Sequence, residues 1–141
     1  MELLTKIFNI GTEGFNDIVD ITQRVQAIVA ESELNEGNVL IFVPGSTAGI
    51  TTIEYEPGLL KDYPDFFEKL APANGNYMHN ETWHDGNGYA HVRASLQGAS
   101  LTVPFIGGEL LLGTWQQIVL VDFDNTARNR KIIVQITGKK L

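Results

Sequence analysis

All three histidines of this 141-residue chain, His79, His84 and His91, fall in one stretch from Tyr77 to Leu96, YMHNETWHDGNGYAHVRASL. The stretch also carries Glu81, Asp85, Asn87, Arg93 and Ser95 and has no continuous apolar face. Scarce imidazoles gathered where apolar residues are few serve a core badly, so this segment is the candidate site. Imidazole is a neutral nitrogen ligand. Three of them with a nearby carboxylate could form an open divalent-metal site, zinc or magnesium, with His79, His84 and His91 as ligands. As acid/base groups, His91 and His84 are the candidate catalytic residues, with Glu81 and Asp85 orienting imidazoles or completing coordination. The spacings, five residues and then seven, match no helical ligand motif such as HExxH. The competing reading leaves His79 and His84 as exposed loop residues and His91 as a hydrogen-bonded helix residue.

If Gly88 to Leu96 is a helix capped by Asn87, His91 and Ser95 share a face at i, i+4. The free N–H groups of Asn87, Gly88 and Tyr89 would then attract phosphate or carboxylate. Asn87, Gly88, Arg93 and Ser95 are accordingly candidate substrate-binding residues, with Arg93 holding a phosphate. A second constellation is PGSTAGIT, Pro44 to Thr51. Glycines beside small hydroxylated residues let backbone approach a ligand, which makes Ser46 and Thr47 candidate substrate contacts. No GK[ST] follows, so it is not a Walker loop, and a plain strand connection is the alternative. Glu54 and Glu56 are either acids of the site or solvent-facing strand residues. Ser46, Ser95 and Ser100 all lack the GxSxG context of a serine hydrolase.

The elements that must position these groups are strongly β. Leu3 to Ile10 reads as a strand, and Ile18 to Ile21 as a short second one. From Asp20 or Thr22, either a suitable N-cap, apolar residues at Ile21, Val25, Ile28 and Val29 fall at helical spacing, with a stop near Asn35 to Gly37. NVLIFVP suits a strand buried on both faces, and TAGITTIEYE a further strand. Pro57 opens a second helix, PGLLKDYPDFFEKLA, which Pro64 should kink or divide. SLTVPF, GELLLG, WQQIVLVDFD and RKIIVQIT read as strands, with a hairpin at Gly107-Gly108 and an antiparallel pair closed by Asp124 to Asn129. Seven or eight strands with two or three helices give an α+β domain of mixed or antiparallel sheets, spanning residues 1–141 as one unit.

Composition bounds the function. With 43% hydrophobic residues and no cysteine, the chain can bury a core without staples, and thiolate metal sites and a cysteine nucleophile are excluded. No apolar run approaches the roughly 18 residues of a membrane span, and MELLTKIFNI lacks the pattern of a signal peptide, so a cytoplasmic protein without membrane contact is expected. A net charge of -7 argues against nucleic acid as partner, and against Trp83 and Trp115 as a base-stacking surface. Trp115 is expected in the core or at a subunit interface. Half of the ten cations, Arg128, Arg130, Lys131, Lys139 and Lys140, lie in the last fourteen residues. They form either an anion-binding edge or a solvated end to the last strand.

FVPGSTAGITTIEYEPGLL, HDGNGYAHVRASLQGASLTVPF and LLLGTWQQIVLVDFD, with a basic RNRK before the last strand, resemble the YjbQ-like family over nearly the whole chain. LGTWQ and GN-x-x-AH-x-x-AS are the specific elements. Members are often described as secondary thiamine-phosphate synthase enzymes. The resemblance implies a β-rich fold of two packed sheets with a few helices, a homotrimer, and a pocket lined by the histidine segment that could hold a divalent metal. Many members have histidine where this chain has Gly45, a second histidine where it has Tyr89, and proline where it has Ala99; His84 is a candidate addition. Joining a pyrimidine to a thiazole phosphate with loss of pyrophosphate calls for Mg²⁺ ligands and cations around two phosphate groups. The available arginines are Arg93 and, on a neighbouring subunit, Arg128 or Arg130, so thiamine-phosphate synthesis is expected to be weak or incidental. The expected function is a trimeric enzyme acting on a small phosphorylated or anionic substrate. The contrasting expectation is a non-catalytic trimeric metal- or metabolite-binding protein.

Overall fold

The computed structural model describes all 141 residues. The elements follow in the order β1 (Glu2–Thr12), β2 (Asp17–Asp20), α1 (Thr22–Glu31), β3 (Glu36–Phe42), β4 (Ala48–Ile53), α2 (Pro57–Leu70), α3 (Met78–Trp83), α4 (Gly88–Gln97), β5 (Ser100–Ile106), β6 (Glu109–Leu110), β7 (Gln117–Asp122) and β8 (Arg128–Lys139). Five strands form one sheet in the order β1-β8-β3-β5-β6, and three form another in the order β2-β7-β4. Every pairing is antiparallel. The α+β reading holds, with four helices rather than two or three. The extra one is α3, whose six residues bury no side chain and so give no periodic apolar signal. No helix is long and apolar enough to cross a membrane.

One core lies between the sheets and under α1, built from Val25 and Val29 of α1, Val39 and Ile41 of β3, Ile118 and Leu120 of β7, and Ile132, Val134 and Ile136 of β8. A second covers the opposite face of the three-stranded sheet, where Phe67 of α2 and Tyr89, Ala90 and Ala94 of α4 meet Val119 and Val121 of β7. The strand buried on both faces is therefore β7. In β3 the alternation is real: Val39 and Ile41 are buried, while Phe42 is exposed on the outer face of its sheet.

The expected β7–β8 pair does not form. β7 lies in the three-stranded sheet and β8 in the five-stranded one, so Phe123 to Ala127 cross between sheets. Asp122 and Asp124 are fully buried at the start of that crossing. A tight hairpin would have turned them to solvent.

Local chemistry explains the other elements. Gly107 and Gly108 both take positive φ, 63° and 75°, as a two-residue primed turn between β5 and β6 requires. The Glu56 carboxylate caps α2 by accepting from the Gly58 and Leu59 N–H groups, and Pro57 occupies the first turn. Glu56 is thereby structural. Pro64 sits inside α2 without dividing it. At α1, Ile21 takes the cap position without a side-chain bond, while Asp20 accepts from both the N–H and the hydroxyl of Thr22.

Candidate functional site

The crossing between sheets creates a buried ionic network. Arg130 forms a two-pronged pair with Asp122, Nε to Oδ2 at 2.7 Å and Nη2 to Oδ1 at 2.8 Å, a geometry stronger than a single-pronged contact. The Thr12 hydroxyl of β1 also donates to Asp122. Arg130 Nη2 donates to the Thr47 hydroxyl at 2.7 Å, and Thr47 donates to Asp124 Oδ2 at 2.9 Å. Asp124 further accepts from Arg128 Nε at 2.9 Å and Asn87 Nδ2 at 3.3 Å. Burial pushes the Asp124 carboxyl up, but the bonds from Asn87, the Asn125 N–H and Thr47, with the charge of Arg128, outweigh it and hold the group below the usual carboxylate range. The chain Arg130–Thr47–Asp124–Asn87 thus links β8, the loop before β4, the crossing and the start of α4. Gly45 completes it by leaving room: a Cβ there would stand 2.8 Å from Arg130 Nη1.

Asn87 precedes α4 as expected, but its side chain makes no cap bond, because its amide is turned to Asp124. The cap comes from α3, where Asn80 Oδ1 accepts from the Gly88 N–H at 2.9 Å. That contact consumes an N–H expected to be free for a ligand. Gly88 permits it, since a Cβ would lie 2.6 Å from Tyr77 Cβ.

Docking α3 on α4 stacks His79 against His91, with ring centroids 4.2 Å apart and planes tilted by 39°. Asp85 Oδ1 is 3.6 Å from His79 Nδ1, too far for a hydrogen bond, and that nitrogen is buried without a partner. Burial, together with the neighbouring His79, lowers the His91 pKa against the pull of Asp124 and Asp85. His91 is therefore a neutral imidazole at physiological pH, fit to accept a proton.

The remaining expected residues divide clearly. Thr47 and Asn87 belong to the network. Ser46 is exposed beside it. His84 ends α3 in the left-handed conformation, φ 56°, and lines a shallow pocket with Tyr77, Asn80 and Glu81. Ser95 donates to the His91 carbonyl at 2.8 Å, the ordinary back-bond of a helical serine. Arg93 is the largest correction. It is 1% exposed and donates to the Ala71 carbonyl, Asn16 Oδ1 and Glu68 Oε2, so it braces α4 rather than facing a substrate. Asp122 and Asp124 lie outside the candidate residues of the sequence; their signal there is two carboxylates closing an apolar run, VLVDFD.

The donors present do not suit a resident divalent ion. Two imidazoles stand together, but no group of three or more His, Asp or Glu side chains is placed to hold a metal. An open zinc site commonly uses three protein ligands. His84 does not close the set, and Asp122 and Asp124 are committed to arginines. The residues present do not make a metal centre within one chain.

The lowered His91 pKa sets a pH dependence. The unfolded imidazole takes its proton near 6.5, the native one only at lower pH. Between the two, the unfolded state binds more protons, so stability falls as pH drops below about 6.5 toward the native value. Urea midpoints measured across this interval should decline in the wild type, and His91→Gln should remove part of that decline. An identical slope in the variant would contradict the assignment. The contribution of Asp124 is lost only below 3.8, where its unfolded carboxyl titrates.

Comparison with known proteins identifies the family to which this fold belongs. The model of the family described as UPF0047 protein YjbQ-like matches residues 6–139. A UPF0047 protein of Archaeoglobus fulgidus is 41% identical over 119 residues, covering 84% of this chain and 90% of that protein. One of Methanocaldococcus jannaschii is 39% identical over 134 residues, 94% of each. The crystal structure of a YbjQ-like protein of unknown function from Sulfolobus solfataricus P2 superposes with a TM-score of 0.88 at 34% identity, covering 98% of this chain and 100% of that one. A hypothetical protein from Aeropyrum pernix K1 gives 0.89 at 32%, covering 99% and 100%. With a family model spanning nearly its whole length and relatives of this identity and coverage, the chain belongs to the YjbQ-like UPF0047 family.

Proposed function

We propose that the chain binds a small phosphorylated or otherwise anionic molecule between Arg128, Arg130 and the His79–His91 pair, and acts on it by acid–base chemistry. The observation that carries this reading is a set of unmet polar atoms. Three buried side-chain nitrogens or oxygens lack a hydrogen-bond partner, and two of them, Asn87 Oδ1 and His79 Nδ1, lie here. Buried polar groups are nearly always paired, with protein, ordered water or a ligand, and these two are open to a partner from outside the chain. Asn87 Oδ1 calls for a hydroxyl or N–H on that ligand. The guanidinium groups call for an anion: Arg130 Nη1 and both Nη atoms of Arg128 make no bond within the chain. Asp122 and Asp124 hold these cations in place, which lowers the ordering cost of binding. His91 then removes or returns a proton on the bound molecule, with His79 stacked beside it.

Two cations at one spot match one phosphate better than a pyrophosphate plus a second phosphate. Thiamine-phosphate synthesis is therefore read as incidental at most.

The homotrimer is part of this proposal. Register places Ile7, Ile133 and Phe42 in one row across β1, β8 and β3 on the outer face of the five-stranded sheet. Leu3 and Ile106 are also exposed on that sheet, and Trp115 is 72% exposed rather than in the core. A gathered apolar face of this kind supports an interface.

Calorimetric titration with inorganic phosphate and glycerol phosphate tests the site. Arg128→Gln, folded by circular dichroism, should weaken binding about tenfold, the equivalent of about 1.4 kcal/mol. Unchanged affinity would sink the anion site. With a phosphorylated substrate set, His91→Ala should abolish turnover and keep binding. Binding without turnover in the wild type would favour the non-catalytic reading instead. Sedimentation of the same samples should give three chain masses.

A further inference from the structure

The third unpaired buried atom, Gln97 Nε2, lies at the opposite end of α4 from Asn87. Ten helical residues separate the two by about 15 Å, so a different part of the molecule is involved. Gln97 Oε1 accepts from the Tyr63 hydroxyl at 2.8 Å, which leaves the nitrogen as the unmet end. Gln97 lines a cavity of about 340 Å³ between β4 and β5, together with the hydroxyl-bearing Thr51, Thr52, Ser100 and Thr102 and the amide of Gln116. Leu101 and Val103 contribute apolar surface, and no charged residue lines the cavity.

The walls are the outer edge of β4 and the part of β5 before its pairing with β6, which belong to different sheets and do not pair with each other. In an antiparallel strand, successive residues turn their N–H and C=O groups to opposite sides. On β4, the Thr47 carbonyl accepts from the Phe123 N–H, so odd residues serve β7. Ile50 turns the other way, its N–H reaching the Gly98 carbonyl at 3.1 Å. Thr52 shares the parity of Ile50 and faces its N–H and C=O toward the cavity. On β5, Ala99 bonds Val43 while Pro104 bonds Leu111. Ser100 and Thr102 therefore turn their backbone groups away from β3, also toward the cavity. Both ends are tied, by Ile50–Gly98 at one and Pro104–Leu111 at the other, so the space suits a small molecule and not a continuous strand.

We infer that this cleft binds a small uncharged cyclic amide bearing an apolar side group, whose N–H and C=O edges complete the free edges of Thr52 and Thr102. Two opposed peptide edges demand donor and acceptor side by side on both edges of the ligand. A ring with two amides supplies that pattern, and the absence of charged residues disfavours ions.

Cyclo(glycyl-leucine) is the probe, and its N,N′-dimethyl derivative, of similar shape without N–H donors, is the control. Titrated to millimolar concentration into the ¹⁵N-labelled full chain, the probe should shift the Thr52 and Thr102 amides and the Gln97 side-chain amide saturably, with Asn87 and His91 unmoved. The dimethyl derivative should not. Gln97→Leu should weaken binding about fivefold, the loss of one hydrogen bond. Three results overturn the inference: no saturable shift, equal binding by the dimethyl derivative, or concentration-dependent protection of the Thr52 and Thr102 amides in ligand-free protein. The last would mean that a second copy of the chain covers the cleft. Because phosphate binding at Arg128 is measured separately, failure here leaves the anion site standing.

Discussion

Asp122→Ala is expected to cost about 3–5 kcal/mol of stability, the range found when one partner of a buried ion pair is removed. Asp122 is fully buried and serves three donors besides its own backbone: Arg130 through two nitrogens, the Thr12 hydroxyl and the Asp124 N–H. Thr12 and Arg130 belong to the five-stranded sheet and Asp122 to the three-stranded one, so the contact ties the two sheets together. Without it Arg130, 11% exposed, keeps only Asp124 at 3.8 Å as a counter-charge. The guanidinium would swing or draw in water, and the anion site would lose its fixed edge along with stability. Urea denaturation gives the cost directly. Pairing the change with Arg130→Met should recover part of the loss, since removing both charges leaves no uncompensated ion. If Asp122→Ala were neutral, or the double variant worse than the sum of the single ones, the network would not be the organising contact described here.

This network also shows why the fold was legible in the sequence while the site was only half so. Strands, helices and the Gly107-Gly108 hairpin announce themselves through period and turn chemistry, which are local. The histidine segment announced itself through composition. Which strand follows which into a sheet is not local: RKIIVQIT after VLVDFD reads as a hairpin, and only packing shows β8 joining β1 and β3. The meeting of Asp122 and Asp124 with Thr12, Thr47 and Asn87 depends on that crossing. The place of Arg93 is hidden for a related reason. It stands two residues from His91 in sequence, but on a helix the residue two places on points elsewhere, and here that direction leads to the second core, against the Tyr89 ring.

Arg93→Met is the second large effect. The guanidinium, 1% exposed, donates to the Ala71 carbonyl at 2.9 Å, Asn16 Oδ1 at 2.8 Å and Glu68 Oε2 at 2.6 Å, and lies over the Tyr89 ring at 4.9 Å. It therefore joins α4 to the end of α2 and to the β1–β2 turn. Methionine retains much of the side-chain volume but leaves two neutral acceptors without donors, while Glu68, half exposed, regains water. The Ala71 carbonyl is buried and Asn16 half-buried; an unmet buried acceptor costs about 1–3 kcal/mol, so a loss of about 2 kcal/mol is expected, read from the urea midpoint. The decisive readout is phosphate affinity at a temperature where the variant is folded. A brace leaves that affinity close to wild type, because Arg128 and Arg130 sit on another element; a phosphate ligand would lower it as Arg128→Gln does. Near-normal stability with lost phosphate binding would return Arg93 to the site. The opposite pattern places the recognition of the anion on β8 and leaves α4 to carry the imidazole that works on it.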